Sequence, residues 1–342
     1  MKKNQFVKDI GPNDEVCGLF LLGAASLLQA RNGPFWRLEL KDCSGTLEAK
    51  IWSPQSQEYP NLAAGYFVEL QGRAGLFRDQ LQVSVDRLRL LSEQESSLCD
   101  LALFLPASAR PAQEMLDEAE RLCRCELGFG PWKKFALAVL KDPEIRALLL
   151  LAPAAKSVHH AYLGGLLEHM LSVTGLCLDL AGHYPELDRQ ILLTAALFHD
   201  IGKLWELDSG LTTEYSDEGK LLGHIFLGLE RLEPFLQKSG LPPELVRHFK
   251  HLVLSHHGEY HFGSPQLPQT PEAFILHHAD NIDAKMAQCR SLFAALPEGQ
   301  NWSAYQNTLG RAMHLPDRSP EQSEAKAPKP RKENQCLSLL KE

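Results

Sequence analysis

The fourteen histidines of this 342-residue chain all lie between His159 and His314. Packing has no preference that would divide a chain in this way. The second half is therefore marked for chemistry that imidazole serves. Within it, the stretch Ala195-Ala196-Leu197-Phe198-His199-Asp200-Ile201-Gly202-Lys203 sets a histidine beside an aspartate at the end of an apolar helical run, just before a glycine stop. Neighbouring helical residues point about 100° apart, so the pair can face one pocket with the carboxylate bridging two ions. Imidazole and carboxylate suit hard or borderline divalent metals. The reading is a metal-dependent enzyme.

Length sets an expectation of roughly two domains, and 44% hydrophobic against 23% charged residues suits a soluble chain with ample core. No apolar run approaches the ~20 residues that span a bilayer. The start, Met1-Lys2-Lys3-Asn4-Gln5-Phe6, is basic but leads into no apolar stretch, so no secretory signal is expected. The eight cysteines have no paired metal spacing, Cys123 and Cys125 being the nearest two, which predicts free thiols in a reducing, cytoplasmic setting. A net charge of −8 argues against coating nucleic acid by charge alone. It leaves room for an enzyme that grips a strand locally.

Residues 14–91 read as strands: Gly18–Leu22, Phe35–Leu40, Thr46–Trp52, Tyr66–Gly72 and Leu81–Val85, with turns at Arg31-Asn32-Gly33-Pro34, Asp42-Cys43-Ser44-Gly45 and Arg78-Asp79-Gln80. Five short strands suit a small closed barrel of the OB type, and an SH3-like barrel would look much the same. Residues 92–111 lose periodicity and read as a linker. From Ala112 the pattern is helical, over Met115–Cys125, Trp132–Leu140, Pro143–Leu151, Gly164–Leu180, Arg189–His199, Leu221–Leu236, Pro243–Ser255 and Pro271–Phe293. The expected fold is thus multi-domain, a small β-barrel at 14–91 followed by an all-α bundle at 112–315. The proline- and charge-rich tail, 316–342, is expected to be disordered.

Candidate ligands arrive in series along the helical half: His169, His199-Asp200, His224, His256-His257 and Asp280. Bundles build metal sites in this way, from side chains projecting inward off facing helices. His169, His199-Asp200 and Asp280, in this order, resemble the ligand set of the HD-domain metal-dependent phosphohydrolases. His224 and His256-His257 resemble the addition that holds a second metal. The segments His159-His160-Ala161-Tyr162-Leu163-Gly164-Gly165-Leu166-Leu167-Glu168-His169, Asp217-Glu218-Gly219-Lys220-Leu221-Leu222-Gly223-His224, Leu254-Ser255-His256-His257-Gly258 and His278-Ala279-Asp280-Asn281-Ile282-Asp283-Ala284-Lys285-Met286 are similar to the YhaM-type 3′→5′ exoribonucleases. That family pairs an N-terminal OB-fold with an HD domain, and the resemblance covers roughly residues 14–310.

The resemblance implies one metal held by His169, His199, Asp200 and Asp280, and another by Asp200, His224, His256 and His257, with Asp200 shared. Two ions about 3.5–4 Å apart can activate a bridging water and stabilise the phosphorus transition state. An imidazole-rich set points to Mn²⁺, or to Co²⁺, Fe²⁺ or Ni²⁺, over Mg²⁺. Lys203 is the candidate cation for the scissile phosphate, with a helix-terminal charge as its plainer reading. His160 and His159 are candidates to line the entrance, bind phosphate or protonate the leaving oxygen, or else form a helix-start loop. His183, His248, His251, His261, His277 and His314 read as surface or packing residues, while His278 stays open. Asp283, one turn past Asp280, reads as a support or a substrate contact.

In the barrel, Phe35, Trp36, Trp52, Phe67 and Phe77 invite base stacking, although most aromatics of a small barrel are core. Arg31, Arg37, Lys50, Arg73 and Arg78 are candidate phosphate contacts. Residues 14–91 nonetheless carry eight basic against nine acidic side chains, so the barrel lacks a net positive field. The expected activity is 3′→5′ hydrolysis of single-stranded RNA, or DNA, to 5′-mononucleotides. Phe35, Trp36, Arg37, Trp52 and His159 would contact the strand. The alternatives are a phosphohydrolase for nucleotides or cyclic dinucleotides, with the barrel making contacts in a homo-oligomer, and a non-catalytic single-strand-binding protein.

Overall fold

The computed structural model describes residues 3–156, 160–209 and 213–317. Five strands, β1 (Glu15–Ala30), β2 (Gly33–Asp42), β3 (Gly45–Ile51), β4 (Phe67–Phe77) and β5 (Gln80–Leu90), close in the order β1-β2-β3-β5-β4. β1 pairs antiparallel with both β2 and β4, and β3 meets β5 in parallel. This is the Greek-key closure of the OB fold, which sets the SH3-like alternative aside. Phe20, Leu22, Trp36, Leu38, Leu40, Ile51, Val68, Leu70 and Val83 fill the barrel. The unbroken apolar run Leu19–Leu22 has a two-sided cause: Phe20 and Leu22 face the interior, while Leu19 and Leu21 pack outward on Phe67, Cys99, Phe104 and Leu105. Residues 92–111 therefore carry apolar anchors of their own, beside a short helix α1 (Glu93–Ser96). Backbone bonds between residues 106–108 and Leu163 then pin this segment beside the start of the helix at Gly165–His183.

Lys3 and Asp42 staple one end of the barrel. Lys3 Nζ lies 3.0 Å from Asp42 Oδ2, with both side chains buried, and it donates to the Leu19 carbonyl at 2.7 Å. Asp42 also accepts from the Val7 amide at 2.8 Å and from the Ser44 amide at 2.8 Å. Removing one member of a buried pair strands the other charge. Asp42→Ala is expected to destabilise the protein by about 3–5 kcal/mol, measured by urea unfolding. A loss below about 1 kcal/mol would show the pair to be solvated.

The helical part comprises α2 (Ala112–Glu126), α3 (Gly130–Leu140), α4 (Pro143–Leu149), α5 (Gly165–His183), α6 (Arg189–Phe198), α7 (Lys203–Glu206), a hairpin of β6 (Leu207–Ser209) and β7 (Thr213–Tyr215), α8 (Asp217–Ser239), α9 (Pro243–Ser255) and α10 (Pro271–Ala294). α6 is the hub. Every residue from Ile191 to Phe198 is buried, as expected of a helix apolar on all sides. Phe135, Phe198 and Phe249 meet edge to face around it. Asp188 caps α6 by accepting from the Gln190 and Ile191 amides, so the helix starts at a set point and ends with His199-Asp200 inside the bundle.

By contacts the chain divides into a unit of residues 1–288 and one of residues 289–342. In the second, backbone bridges pair Trp302 with His314 and Gln306 with Arg311. Pro316 and Asp317 are irregular, and the rest of the expected disordered tail, 318–342, lies outside the described residues. No helix among the described residues is long and apolar enough to cross a membrane.

Candidate metal centre

α6 ends at Phe198, and the chain leaves it through a tight turn in which the Lys203 amide donates to the Asp200 carbonyl at 3.0 Å. Gly202 lets this turn rest directly on the backbone of α8. A Cβ there would lie 1.8 Å from the His224 carbonyl oxygen and 2.6 Å from the Gly228 nitrogen. α8 consists of two helical segments joined at Gly223, whose φ of +72° is open chiefly to glycine, and His224 comes directly after that break. α9 stops at Ser255, and Gly258, at φ +79°, takes the chain away immediately after His256-His257.

These elements converge on Asp200, which is 2% exposed. Its Oδ2 lies 3.3 Å from His169 Nε2 and 3.5 Å from His199 Nε2. Its Oδ1 lies 3.3 Å from His224 Nε2 and 3.5 Å from His256 Nε2. Asp280 Oδ1 stands 3.2 Å from His169 Nε2 and 3.9 Å from His199 Nε2. His257 lies with Asp200, His224 and His256, their ligand atoms within 4.8 Å of one another. The structure thus brings together all seven expected ligands, and the two oxygens of Asp200 face two different histidine groups.

The ring orientations explain what this cluster wants. His199 Nδ1 donates to the Ala196 carbonyl at 2.9 Å, and His256 Nδ1 to the Val253 carbonyl at 2.7 Å. His169 Nδ1 is 2.8 Å from Asp283 Oδ2, and His224 Nδ1 is 3.1 Å from Glu206 Oε1. Each of the four imidazoles is therefore held by its outer nitrogen and turns Nε2 inward. Acceptors then face acceptors: Asp200 Oδ1, His224 Nε2, His256 Nε2 and His257 Nδ1 are buried without a hydrogen-bond partner. Acceptors are not left facing one another unless a cation sits between them. Ligands ~2.1 Å from a common ion lie roughly 3.0–3.4 Å apart, which the shorter contacts here match. The residues present fit divalent metal.

The electrostatics agree. Burial alone would strip the proton from His169, but Asp200, Asp280 and Asp283 outweigh it and raise this imidazole well above its usual value. Burial would lift Asp200, yet the Lys203 ammonium above all, with the imidazoles around it, holds it well below the carboxylate range. His257 is pushed down to about 3 by burial and by His256 and His224, so it is neutral and free to ligate. The pocket asks for positive charge at its centre.

Lys203 Nζ lies 2.6 Å from Asp200 Oδ2 with 13% of its side chain exposed. His160 does not occupy the place expected of a catalytic acid. It is 3% exposed, its Nδ1 meets the Tyr162 hydroxyl at 2.9 Å, and its Nε2 meets Asp283 Oδ2 at 3.0 Å. Its ring is committed to supporting the site. His159 lies outside the described residues. His277 donates from Nδ1 to the His256 carbonyl at 2.9 Å, a packing role as expected, and His278 is exposed. Glu206 had no signal in the sequence, because it reaches His224 only through the fold of α7 against α8.

On the barrel, alternation along β2 corrects one expectation. Trp36 points inward with Leu38 and Leu40, is 6% exposed, and its Nε1 donates to the Tyr59 carbonyl, so it is core and cannot stack on a base. Phe67 is likewise core, edge-on to Phe104. Phe35 and Trp52 stack on each other at 4.8 Å, and Trp52 is 44% exposed. Lys50 Nζ lies 5.7 Å from the Trp52 ring and 5.3 Å from that of the exposed Phe77, which Arg78 also covers. Arg37 is exposed on the same sheet, paired with Glu48 at 2.6 Å.

Comparison with known proteins shows the family. Residues 166–285 match the HD domain family. The 3′-5′ exoribonuclease YhaM of Bacillus subtilis (strain 168) is 34% identical over 287 residues, covering 84% of this chain and 89% of that protein. The protein of the same name from Bacillus velezensis is 33% identical over the same shares. Among solved structures, the second OB-fold domain of replication protein A from Methanococcus maripaludis is similar over 26% of this chain and 95% of its own, at 18% identity and a TM-score of 0.23. A third of the residues shared across most of both chains decides the matter: the chain belongs to the family of YhaM 3′-5′ exoribonucleases.

Proposed function

We propose that this protein is a metal-dependent 3′→5′ exoribonuclease that shortens single-stranded RNA, and DNA of the same polarity, to 5′-mononucleotides. The observation that carries the reading is Asp200, whose two oxygens each face a separate imidazole group. His169, His199, Asp200 and Asp280 would hold one divalent ion, and Asp200, His224, His256 and His257 the other. The donor set favours Mn²⁺, Co²⁺, Fe²⁺ or Ni²⁺ over Mg²⁺. Ions so bound supply an activated water and neutralise charge developing on phosphorus.

The chain's own residues do the rest. Lys203 holds the Asp200 carboxylate in its ionised form and places an ammonium at the partly open edge of the pocket, where it would attract the scissile phosphate. The rings fixed by Ala196, Val253, Asp283 and Glu206 keep two Nε2 atoms aimed at each metal position, so little reorganisation accompanies the reaction. Phe35, Trp52 and Phe77, with Lys50, Arg78 and Arg37 among them, supply aromatic faces and cations on one side of the barrel. Such surfaces hold single strands without sequence preference. The described cysteines are all free, in keeping with a reducing, cytoplasmic setting.

The test is Mn²⁺-reconstituted protein with 5′-labelled single-stranded RNA. A ladder descending one nucleotide at a time supports the reading. Cleavage of free nucleotides with intact oligomers contradicts it. Replacing both Phe35 and Trp52 with alanine should raise KM for the oligomer by roughly 5- to 150-fold, the worth of about 1–3 kcal/mol of stacking. Turnover of a dinucleotide should hold steady, and an equal loss on both substrates would remove the barrel from the mechanism.

A further inference from the structure

Asp283 is 3% exposed and lies outside the ligand set. Its Oδ2 accepts from His169 Nδ1 at 2.8 Å and meets His160 Nε2 at 3.0 Å, while its Oδ1 accepts from the Ser172 hydroxyl at 2.5 Å. The spacing repeats on two helices: His169 and Ser172 are one turn apart on α5, and Asp280 and Asp283 one turn apart on α10. Residues three apart share a helix face, so α10 presents a ligand and, one turn on, the carboxylate that steadies His169, while α5 presents His169 and, one turn on, the hydroxyl that holds that carboxylate. His160 completes the clamp. Its backbone is held at φ +51°, a conformation uncommon outside glycine. Its carbonyl accepts from the Ala154 amide at 3.0 Å, and only a glycine at position 165 fits beneath it, since a Cβ there would lie 2.1 Å from that carbonyl oxygen. The fold devotes a constrained loop to aiming one imidazole at Asp283.

His199 and His256 are steadied by carbonyls of their own helices, whereas His169 has Asp283 behind it and His224 has Glu206. A carboxylate accepting the outer N–H fixes the tautomer and makes the imidazole a stronger donor. Each metal position therefore has one carboxylate-backed histidine. We propose that Asp283, clamped by His160 and Ser172, is the positioning residue that sets metal affinity at the His169 position alone, with Glu206 doing the same at the His224 position. The inference rests on the two-ion reading of the proposed function.

The experiment is titration of metal-free, full-length protein with Mn²⁺, followed by calorimetry. Wild type should take up ions in two classes. Asp283→Asn should weaken one class by about 10- to 100-fold and leave the other in place. Glu206→Gln should weaken the other class, and the double variant both. Ser172→Ala keeps the carboxylate but frees it to swing, so it should weaken the same class as Asp283→Asn, by less; it decides the matter if Asp283→Asn does not fold. Wild-type affinity in both Asp283→Asn and Ser172→Ala, or an equal loss in both classes, overturns the proposal. If wild type itself takes up no Mn²⁺, the two-ion reading falls, and this inference with it.

Discussion

Asp200→Ala should lower hydrolysis of single-stranded RNA by roughly 10⁴-fold or more, worth about 5 kcal/mol of barrier, while single-strand binding persists. The size comes from position. Among the described residues, Asp200 is the one carboxylate whose two oxygens face both imidazole groups, Oδ2 toward His169 and His199 and Oδ1 toward His224 and His256. Alanine removes the proposed ligand from both positions at once and leaves the Lys203 ammonium without the carboxylate that now lies 2.6 Å from it. Replacing His199 as well should add little, because residues that act as a unit are not additive. Binding survives because Phe35, Trp52 and Phe77 lie on the barrel. The measurement is single-turnover hydrolysis beside a fluorescence titration with labelled strand. Hydrolysis within tenfold of wild type would remove Asp200 from the reaction.

Gly202→Ala carries the second largest expected effect, although it changes no chemical group. The new methyl would lie 1.8 Å from the His224 carbonyl oxygen and 2.6 Å from the Gly228 nitrogen, both backbone atoms of α8. Backbone cannot rotate aside as a side-chain end can, so α8 must move away from the turn that carries Asp200. Overpacking of this kind costs about 1–3 kcal/mol and occasionally more. His224, whose Nε2 lies 3.3 Å from Asp200 Oδ1, moves with the helix. The expected result is a drop of about 3 kcal/mol in unfolding free energy together with weakened Mn²⁺ uptake at the His224 position. Gly175→Ala is the control. It lies within α5 with open space where its Cβ would go, and it should stabilise the protein by about 1 kcal/mol. Equal behaviour of the two variants would mean that the turn and α8 are not in contact.

The helices were legible because their signals are local. Asp188 before an apolar run marks the start of α6, and the expected Pro243–Ser255 coincides with α9. The short elements between Lys203 and Tyr215 were not legible, since pieces of three or four residues have no period to read. Glu206 went unseen with them. β1 runs on to Ala30 where an end was expected at Leu22, because its later residues pair with β2 while mostly facing solvent and show no apolar-polar alternation. That His169, His199-Asp200, His224, His256-His257 and Asp280 would converge was expected for a different reason: their serial order on helices and the family resemblance. Trp36 was misjudged for want of parity. One place along β2 from Phe35, it faces the opposite side of the sheet. His160 was misjudged because its partner, Asp283, lies 123 residues away.

The central claim is that Asp200 divides its carboxylate between two cations. Anomalous scattering from crystals of the full chain grown with Mn²⁺ tests it most directly. Two peaks are expected, one among His169, His199 and Asp280 and the other among His224, His256 and His257, each within bonding reach of a different Asp200 oxygen. A single peak, or none touching Asp200, would contradict it.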